Sequence, residues 1–374
     1  MPSPHLYINE GRALGRDAET LARAVAYERV ILTNNVYPIL TLRHLARETG
    51  TEWGYLRSIV ERRLNDYSSI RRRKQDGTFR EISAPNAELM HVQRWILSRV
   101  LTGLRIHEAA FAYRRGLSIK HCAEVHLGAR WLLKMDLHDF FGSIYESRIY
   151  TVLRGLGYPA LVAFEMTRIC TRVMPPPEWK PWLSGRGVEA YGAPYQGVLP
   201  QGGPTSGALA NAVAFDLDTV LTSIAEQGGM AYTRYSDDLT FSSPQALSRS
   251  AGSKLVGQIE LAISRAGFNA HRGKTRIVTP GARQIVLGLM LTPEAVRLMP
   301  EFRHALDNHI RCVERYGPVA HAKERRFHSA LSMINHVDGC LAFAIDIEPG
   351  WTVERKFRWE SALAKHGHPV NQDV

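Results

Sequence analysis

The stretch that most constrains this chain is residues 230–243, MAYTRYSDDLTFSS. Its residues alternate on both sides of a polar centre: Tyr232 and Arg234 fall on one parity, Thr233 and Tyr235 on the other, and Leu239 and Phe241 resume the pattern beyond Asp237 and Asp238. Successive strand side chains point to opposite faces, so period-two alternation broken by a short polar pair reads as a tight hairpin with both aspartates at its turn. An acidic pair there is unremarkable alone, because aspartate favours turns by bonding its own backbone. Residues 131–137, WLLKMDL, change its meaning. This short apolar run reads as a buried strand that delivers Asp136 to the end of a sheet, where it can lie beside the hairpin.

Three carboxylates brought together repel one another unless a cation compensates them. An all-oxygen donor set points to magnesium, which keeps several waters and takes further ligands from substrate phosphates. Two such ions a few ångströms apart activate an attacking hydroxyl and stabilise a leaving pyrophosphate. The expected reaction is nucleotidyl transfer.

The composition is compatible with a polyanionic partner. The 374 residues carry 47 Lys plus Arg against 36 Asp plus Glu, a formal net charge of +11. Basic surfaces concentrate phosphate backbones by releasing counterions, although scattered solvated lysines give the same balance. At 45% hydrophobic and 22% charged, the chain is neither wholly disordered, collagen-like nor a membrane bundle. Its length suits about two to three domains. Cys122, Cys170, Cys312 and Cys340 form no C-x-x-C pair, which argues against a zinc knuckle or a disulfide framework and for a reducing cytoplasm. No stretch approaches the roughly 18 apolar residues of a membrane span, and the N-terminus lacks the apolar region of a signal peptide, so no membrane association is expected.

Along the chain, residues 41–63 read as helix, turn, helix, with Leu42, Leu45 and Ala46 in one block and Leu56, Ile59 and Val60 in the other. Two small helices packed on the next region account for this better than a DNA-reading motif. Arg71, Arg72, Arg73 and Lys74 precede an Asp76-Gly77 turn and a strand-like run at residues 79–82, the pattern of a hairpin with cations at its base. Residues 85–100 read as an amphipathic helix with Leu89, Val92, Ile96 and Val100 on one face. Residues 171–198, rich in proline, glycine and tryptophan, read as irregular. After Pro204 a helical stripe of Leu209, Val213, Leu217, Val220 and Leu221 is expected. A further helix over residues 244–266 leads to a basic strand ending near Val278, and from about residue 292 the chain reads as helical and basic.

Taken together, these strings resemble a known family. The sequence is similar to reverse transcriptases of the right-handed palm type: DLHDFF at residues 136–141 resembles their motif A, LPQGGPTSG at 199–207 motif B, YSDD at 235–238 motif C and GFNAHRGKT at 267–275 motif D. The order and spacings fit, over roughly residues 66–296. The resemblance implies an α+β fold of palm, fingers and thumb, the palm an antiparallel sheet backed by helices. The expected division is a helical N-terminal segment (1–65), fingers (66–130, with part of the junction to the palm up to 200), palm (131–290) and an RNA-binding helical thumb (291–374).

The same resemblance makes Asp136, Asp237 and Asp238 the catalytic, metal-binding carboxylates, two Mg2+ ions the cofactor and the Leu137 carbonyl a further ligand. Phe141 falls at the steric gate that excludes a ribose 2′-hydroxyl; read without the motif it is a core aromatic. Gln201 and Gly202 would contact the incoming nucleotide and the template. Arg80, with Arg73 or Lys74, would hold the triphosphate, a guanidinium fork suiting two phosphate oxygens. Arg71 and Arg72 read equally well as a solvated turn. Lys274 would protonate or neutralise the leaving pyrophosphate. His107 either shapes the template path or is a packed histidine. Arg303, Arg311, Lys323, Arg325 and Arg326 would grip nucleic acid from the thumb, since A-form duplex is read by shape and backbone.

Within the family the chain most resembles bacterial retron enzymes, through compact size, a short helical segment before the fingers, and residues 285–306, IVLGLMLTPEAVRLMPEFRHAL. That implies deoxynucleoside triphosphates as substrates and a cognate structured non-coding RNA as template. It also implies priming from a guanosine 2′-hydroxyl, a branched DNA product held as an RNA–DNA hybrid, and a separate effector protein in antiphage defence. The chain departs from the retron pattern at several points. Leu287 replaces the threonine of V-T-G, and no N-A-x-x-H element precedes motif B. Ser236 stands where alanine is commoner, and Gly142 and Gly207 where proline is frequent. A defence-associated or group II intron-like reverse transcriptase, and an RNA–DNA-binding scaffold that restrains an effector, are the competing readings.

Overall fold

In the computed structural model the described residues are 4–73, 77, 79–173 and 197–368, the side chains of 4–7 and 79–81 excepted. The chain opens with α1 (Pro4–Ala13) and α2 (Ala18–Thr33), then α3 (Leu42–Thr49) and α4 (Trp53–Val60). Thr41 caps α3 by accepting the His44 amide, and Gly50 ends it in the left-handed region (φ 64°) that favours glycine. Leu45, Leu56, Ile59 and Val60 are buried in the same core as the central sheet, so this pair packs onto the region that follows it.

Strands β1 (Tyr67–Arg73) and β2 (Phe79–Pro85) form an antiparallel hairpin with register from Tyr67↔Pro85 to Arg73↔Phe79. Helix α5 (Ala87–Arg99) follows, and Leu89, Val92, Ile96 and Val100 are wholly buried along one face. Next come α6 (Ile119–Glu124), β3 (Trp131–Asp136), α7 (Glu146–Gly155), α8 (Ala160–Cys170), α9 (Ser206–Val213), α10 (Phe215–Gln227), β4 (Ala231–Tyr235), β5 (Asp238–Ser243), α11 (Arg249–Arg265) and β6 (Arg276–Val278). The four strands form one antiparallel sheet in the order β4-β5-β3-β6. Strand β3 is central and five of its six residues are buried, which explains why its sequence is a near-continuous apolar run rather than an alternation. An antiparallel sheet backed by helices is the palm architecture.

Strands β7 (Ile285–Val286), β8 (Leu289–Leu291) and β9 (Val296–Leu298) make a small antiparallel sheet, followed by α12 (Pro300–Tyr316), α13 (Pro318–Glu324), α14 (Ala330–Ile347) and α15 (Pro349–Lys365). Their apolar side chains, among them Val286, Leu298, Ile310, Val337 and Trp359, form a second core, separate from the large one that runs from Ile31 to Phe268.

Four sequence expectations change. Residues 206–227 are two helices bent by 53°, with Ala214 (ψ 2°) between them. The bend leaves Val220 48% exposed and turns Asp218 fully inward instead. Helix α11 begins at Arg249 rather than near Pro244, because the Ser248 hydroxyl caps it by accepting the Ala251 amide at 3.2 Å. Strands β7–β9 were not anticipated, since runs of two or three residues are too short to show a period. Helix α14 is long and apolar enough, by length and composition, to cross a membrane, yet Met333, Ile334, Val337, Leu341, Ala344 and Ile347 bury one face in the second core.

Candidate active site

The site forms where three separated sequence strings meet at one end of the palm sheet. Strand β3 pairs with β5 in a register that sets Asp136 directly opposite Asp238, and β4 pairs with β5 so that Tyr235 also faces Asp238. The turn is therefore Ser236-Asp237, with Asp238 as the first residue of the return strand rather than part of the turn. Ser236 has φ 61°, and tight two-residue hairpins require such left-handed backbone to match the strand twist. Beyond β3, the Leu137 amide donates to the Asp237 carbonyl at 2.9 Å, the His271 amide to the Asp136 carbonyl at 2.7 Å, and the His138 amide to the Asn269 carbonyl at 2.7 Å. Residues 267–275 are thus laced onto the end of β3, and Lys274 Nζ donates to Asp136 Oδ1 at 2.6 Å.

Directly opposed residues of an antiparallel pair share a face, so Asp136 and Asp238 are close like charges. Burial first, then the Asp237 and Asp136 carboxylates, push the Asp238 carboxyl up to about 6. Among the described residues, however, no three His, Cys, Asp or Glu side chains are grouped to hold one metal ion. The expected convergence of three carboxylates is partial, since Asp136 turns one oxygen to the Lys274 ammonium. The donor set still suits a hard divalent cation. It is all oxygen, the Asp237 and Asp136 carboxylates add to the burial that raises the Asp238 pKa, and Asp136 already draws in the Lys274 ammonium.

Sequence reading missed what holds the turn from beneath. Arg234 is fully buried; its Nε and Nη2 donate to Asp218 Oδ1 and Oδ2 at 2.8 and 2.6 Å, and its Nη1 to Asn211 Oδ1 at 3.0 Å and to the Ser236 carbonyl at 3.1 Å. The Tyr232 hydroxyl adds a bond to Asp218 at 2.8 Å. The available signal was a charge at an inward position of two apolar patterns, Asp218 beside Leu217 and Leu221, and Arg234 within a strand.

On the other side lies a cavity of about 500 Å³ whose lining includes Ile82, Leu97, Tyr113, Phe141, Gln201 and Gly202. The half-buried Phe141 ring contacts Phe140 and Tyr113, with centroids 5.4 and 6.0 Å away. Gly202 has φ 130°, and a Cβ there would lie 2.9 Å from the Ser83 carbonyl, while the Ser83 amide donates to the Gln201 carbonyl at 2.8 Å. The glycine thus lets the loop press against β2 of the hairpin. Arg73 ends β1, exposed, opposite Phe79. Arg80 lies in β2 opposite Arg72, but its side chain, like the whole of Lys74, is outside the described residues. His107 is a packed histidine: its Nδ1 accepts the Ala109 amide at 3.2 Å and its ring meets Phe215 edge-on at 5.5 Å.

In the helical C-terminal region Arg311, Lys323, Arg325 and Arg326 are exposed. Arg303 is not free to meet a phosphate. Its Nε donates to Glu348 Oε2 at 3.1 Å, its Nη2 bonds Glu348 Oε1, and its guanidinium lies 5.2 Å from the Trp351 ring. Glu348 is buried and also accepts from Arg297 Nη1 at 2.9 Å and the Leu298 amide at 2.8 Å, so Arg303 joins a clasp between α12, β9 and the α14–α15 junction.

The reverse transcriptase (RNA-dependent DNA polymerase) family matches residues 72–325, well over half of the chain. The retron Mx162 reverse transcriptase of Myxococcus xanthus is 35% identical over 225 residues, 58% of this chain and 45% of that protein. The retron Mx65 enzyme of the same organism is 30% identical over 83% of this chain and 69% of its own length, and the retron Ec86 enzyme of Escherichia coli 28% identical over 75% of each. The chain thus spans less than half of the Mx162 protein and about three quarters of the Ec86 protein. Among solved structures, the telomerase of Candida albicans, determined with a fragment of telomeric RNA, is 12% identical with a TM-score of 0.43 over 80% of this chain and 54% of that one.

Proposed function

The chain belongs to the reverse transcriptases and, within them, to the retron enzymes, and from that premise we propose that it copies part of a cognate structured non-coding RNA into single-stranded DNA. The observation that carries this reading is the β3–β5 register, which brings Asp136 and Asp238, about a hundred residues apart, to one sheet end. Asp237 sits in the adjoining turn. We assign residues 1–65 to a helical N-terminal segment, 66–130 to fingers, 131–290 to palm and 291–374 to an RNA-binding thumb.

Asp136 and Asp237, with Asp238 beside them and the Leu137 carbonyl, are the residues that would hold two Mg2+ ions. When bound, such ions lower the pKa of the attacking hydroxyl and neutralise charge on the phosphates. The protein's own groups do the rest. Phe141 limits the room beside the sugar, Gln201 and Gly202 border the nucleotide in the cavity, and Arg73, Lys74 and Arg80 of the hairpin draw in the triphosphate. Lys274 Nζ, resting on Asp136, carries a proton that it can deliver to the departing pyrophosphate. The hydroxyl oxygen bonds to the α-phosphorus as the α–β bridging oxygen leaves with pyrophosphate. The first hydroxyl is a guanosine 2′-hydroxyl of the RNA, giving a branched product, and each later one is a 3′-hydroxyl. The setting is the cytoplasm, with a separate effector protein as partner in antiphage defence.

Asp237→Asn is expected to abolish DNA synthesis on a primed RNA template while leaving RNA binding within about twofold, since one carboxylate adds little to an interface dominated by phosphate contacts. Synthesis at the unmodified rate would overturn the assignment. Nucleic acid extracted from cells and treated with ribonuclease should contain a discrete branched DNA; its absence would leave a reverse transcriptase of another kind.

A further inference from the structure

We propose that Tyr113 is a positioning residue for polymerisation, one side chain that sets the Phe141 gate and the catalytic turn against each other. The proposal rests on reading the 500 Å³ cavity as the nucleotide site. Tyr113 lies on the loop before α6, half exposed, and has φ 61°, a backbone region that side-chain-bearing residues rarely adopt. Ser236 of the turn has the same φ of 61°. The two meet through their side chains, with Tyr113 Oη and Ser236 Oγ sharing a hydrogen bond at 2.9 Å. The Tyr113 ring meets Phe141 edge-on at 6.0 Å and 67°. On its other side stands Gly207, where a Cβ would lie 2.4 Å from Tyr113 Cγ, so the first turn of α9 is bare in order to admit the ring.

The loop is anchored to the network that holds the turn. Asn211 Nδ2 donates to the Ala112 carbonyl at 2.8 Å, and the Phe111 amide to the Arg234 carbonyl at 2.9 Å. Asn211 also accepts from Arg234, which bonds the Ser236 carbonyl. Ser236 is therefore gripped twice, at its carbonyl from beneath and at its hydroxyl by Tyr113. Asp237 is the next residue along. Loss of the upper grip frees the Asp237 carboxylate relative to the nucleotide without removing any group that binds the nucleotide, so turnover suffers more than affinity.

The test is extension of a DNA primer on an RNA template, with kcat and KM for dTTP and the ratio of ribo- to deoxynucleotide incorporation. Tyr113→Phe, which keeps the ring, should lower kcat about fivefold, the value of one neutral hydrogen bond, and leave KM within about twofold. Ser236→Ala should do the same, and the double variant should be no slower than either single one, because both remove one interaction. Tyr113→Ala and Gly207→Ala, which remove or displace the ring behind Phe141, should raise ribonucleotide incorporation, and Phe at position 113 should restore discrimination. Tyr113→Phe with unaltered kcat, or two single effects that multiply, would overturn the proposal. If the unmodified protein extends no primer, the polymerase reading falls as well; if it extends and Tyr113→Phe matches it, only this inference falls.

Discussion

Phe141 is half-buried, in contact with Phe140 and Tyr113 and lining the cavity, the placement that the gate proposed above requires. Phe141→Ala should increase ribonucleotide incorporation in primer extension; an unchanged ratio would place the gate elsewhere. His126 shows what burial does to a titrating group. It lies under the sheet, its Nδ1 and Nε2 each 2.7 Å from the Ser242 and Thr233 hydroxyls, and burial lowers its pKa to about 4. The unfolded chain, with a histidine near the ordinary 6.5, binds a proton there that the folded protein refuses. Stability from this group is therefore present above about pH 6.5 and is lost as pH falls towards 4, by up to about 3 kcal/mol. His126→Phe should flatten the stability profile by about one proton between those pH values, measured by urea unfolding across the range; a profile parallel to the unmodified protein would disprove it. His309 in α12 is lowered to about 4 for the same first reason, burial, and adds a second such contribution.

The elements divide by how much local pattern they carry. The 67–85 hairpin was legible from its turn residues and basic run, α5 from its helical period, β3 from its buried apolar run and the β4–β5 hairpin from its alternation. The bend at Ala214 was not, because both halves continue a helical stripe, whereas Asp218 meets its partners Tyr232 and Arg234 on β4 only in the folded chain. The Asp218–Arg234 pair is the main energetic commitment beneath the Ser236-Asp237 turn. A carboxylate and a guanidinium both at 0% exposure are tolerable only as a bidentate pair with their remaining atoms bonded. Asp218→Asn keeps the shape but leaves Arg234 without a counter-charge, and is expected to cost about 3 kcal/mol or more of stability. Thermal unfolding would show it. Any folded fraction should also polymerise slowly, because Arg234 holds the Ser236 carbonyl. Full stability in that variant would mean that the pair is not the support described.

At the scale of the molecule, the excess of cations separates into those that hold the fold and those that face solvent. Arg62 ties α4 to α7 and α8 through Glu146, Thr171 and the Arg168 carbonyl, and Arg303 closes the Glu348 clasp. Arg311, Lys323, Arg325 and Arg326 remain exposed in the helical C-terminal region. Replacing Lys323, Arg325 and Arg326 together by alanine should reduce the slope of log affinity for RNA against log salt concentration by about one unit for each phosphate no longer neutralised. Arg303→Ala should leave that slope unchanged and lower the unfolding temperature instead. The opposite pattern would reverse the two assignments. The sequence by itself determined the hairpin that carries Asp237 and Asp238 and the buried strand that ends in Asp136, because strand alternation, buried runs and turn chemistry are written in neighbouring residues; the antiparallel palm and the order of its motifs came from the resemblance to reverse transcriptases. Only the tertiary structure decided which charges are buried in pairs and which face solvent, that Arg234 and Asp218 meet beneath the turn, and that Tyr113 reaches Ser236. Those outcomes depend on which side chains from distant segments share a buried space, where an unpaired charge is too costly to leave, and local periodicity carries no record of that.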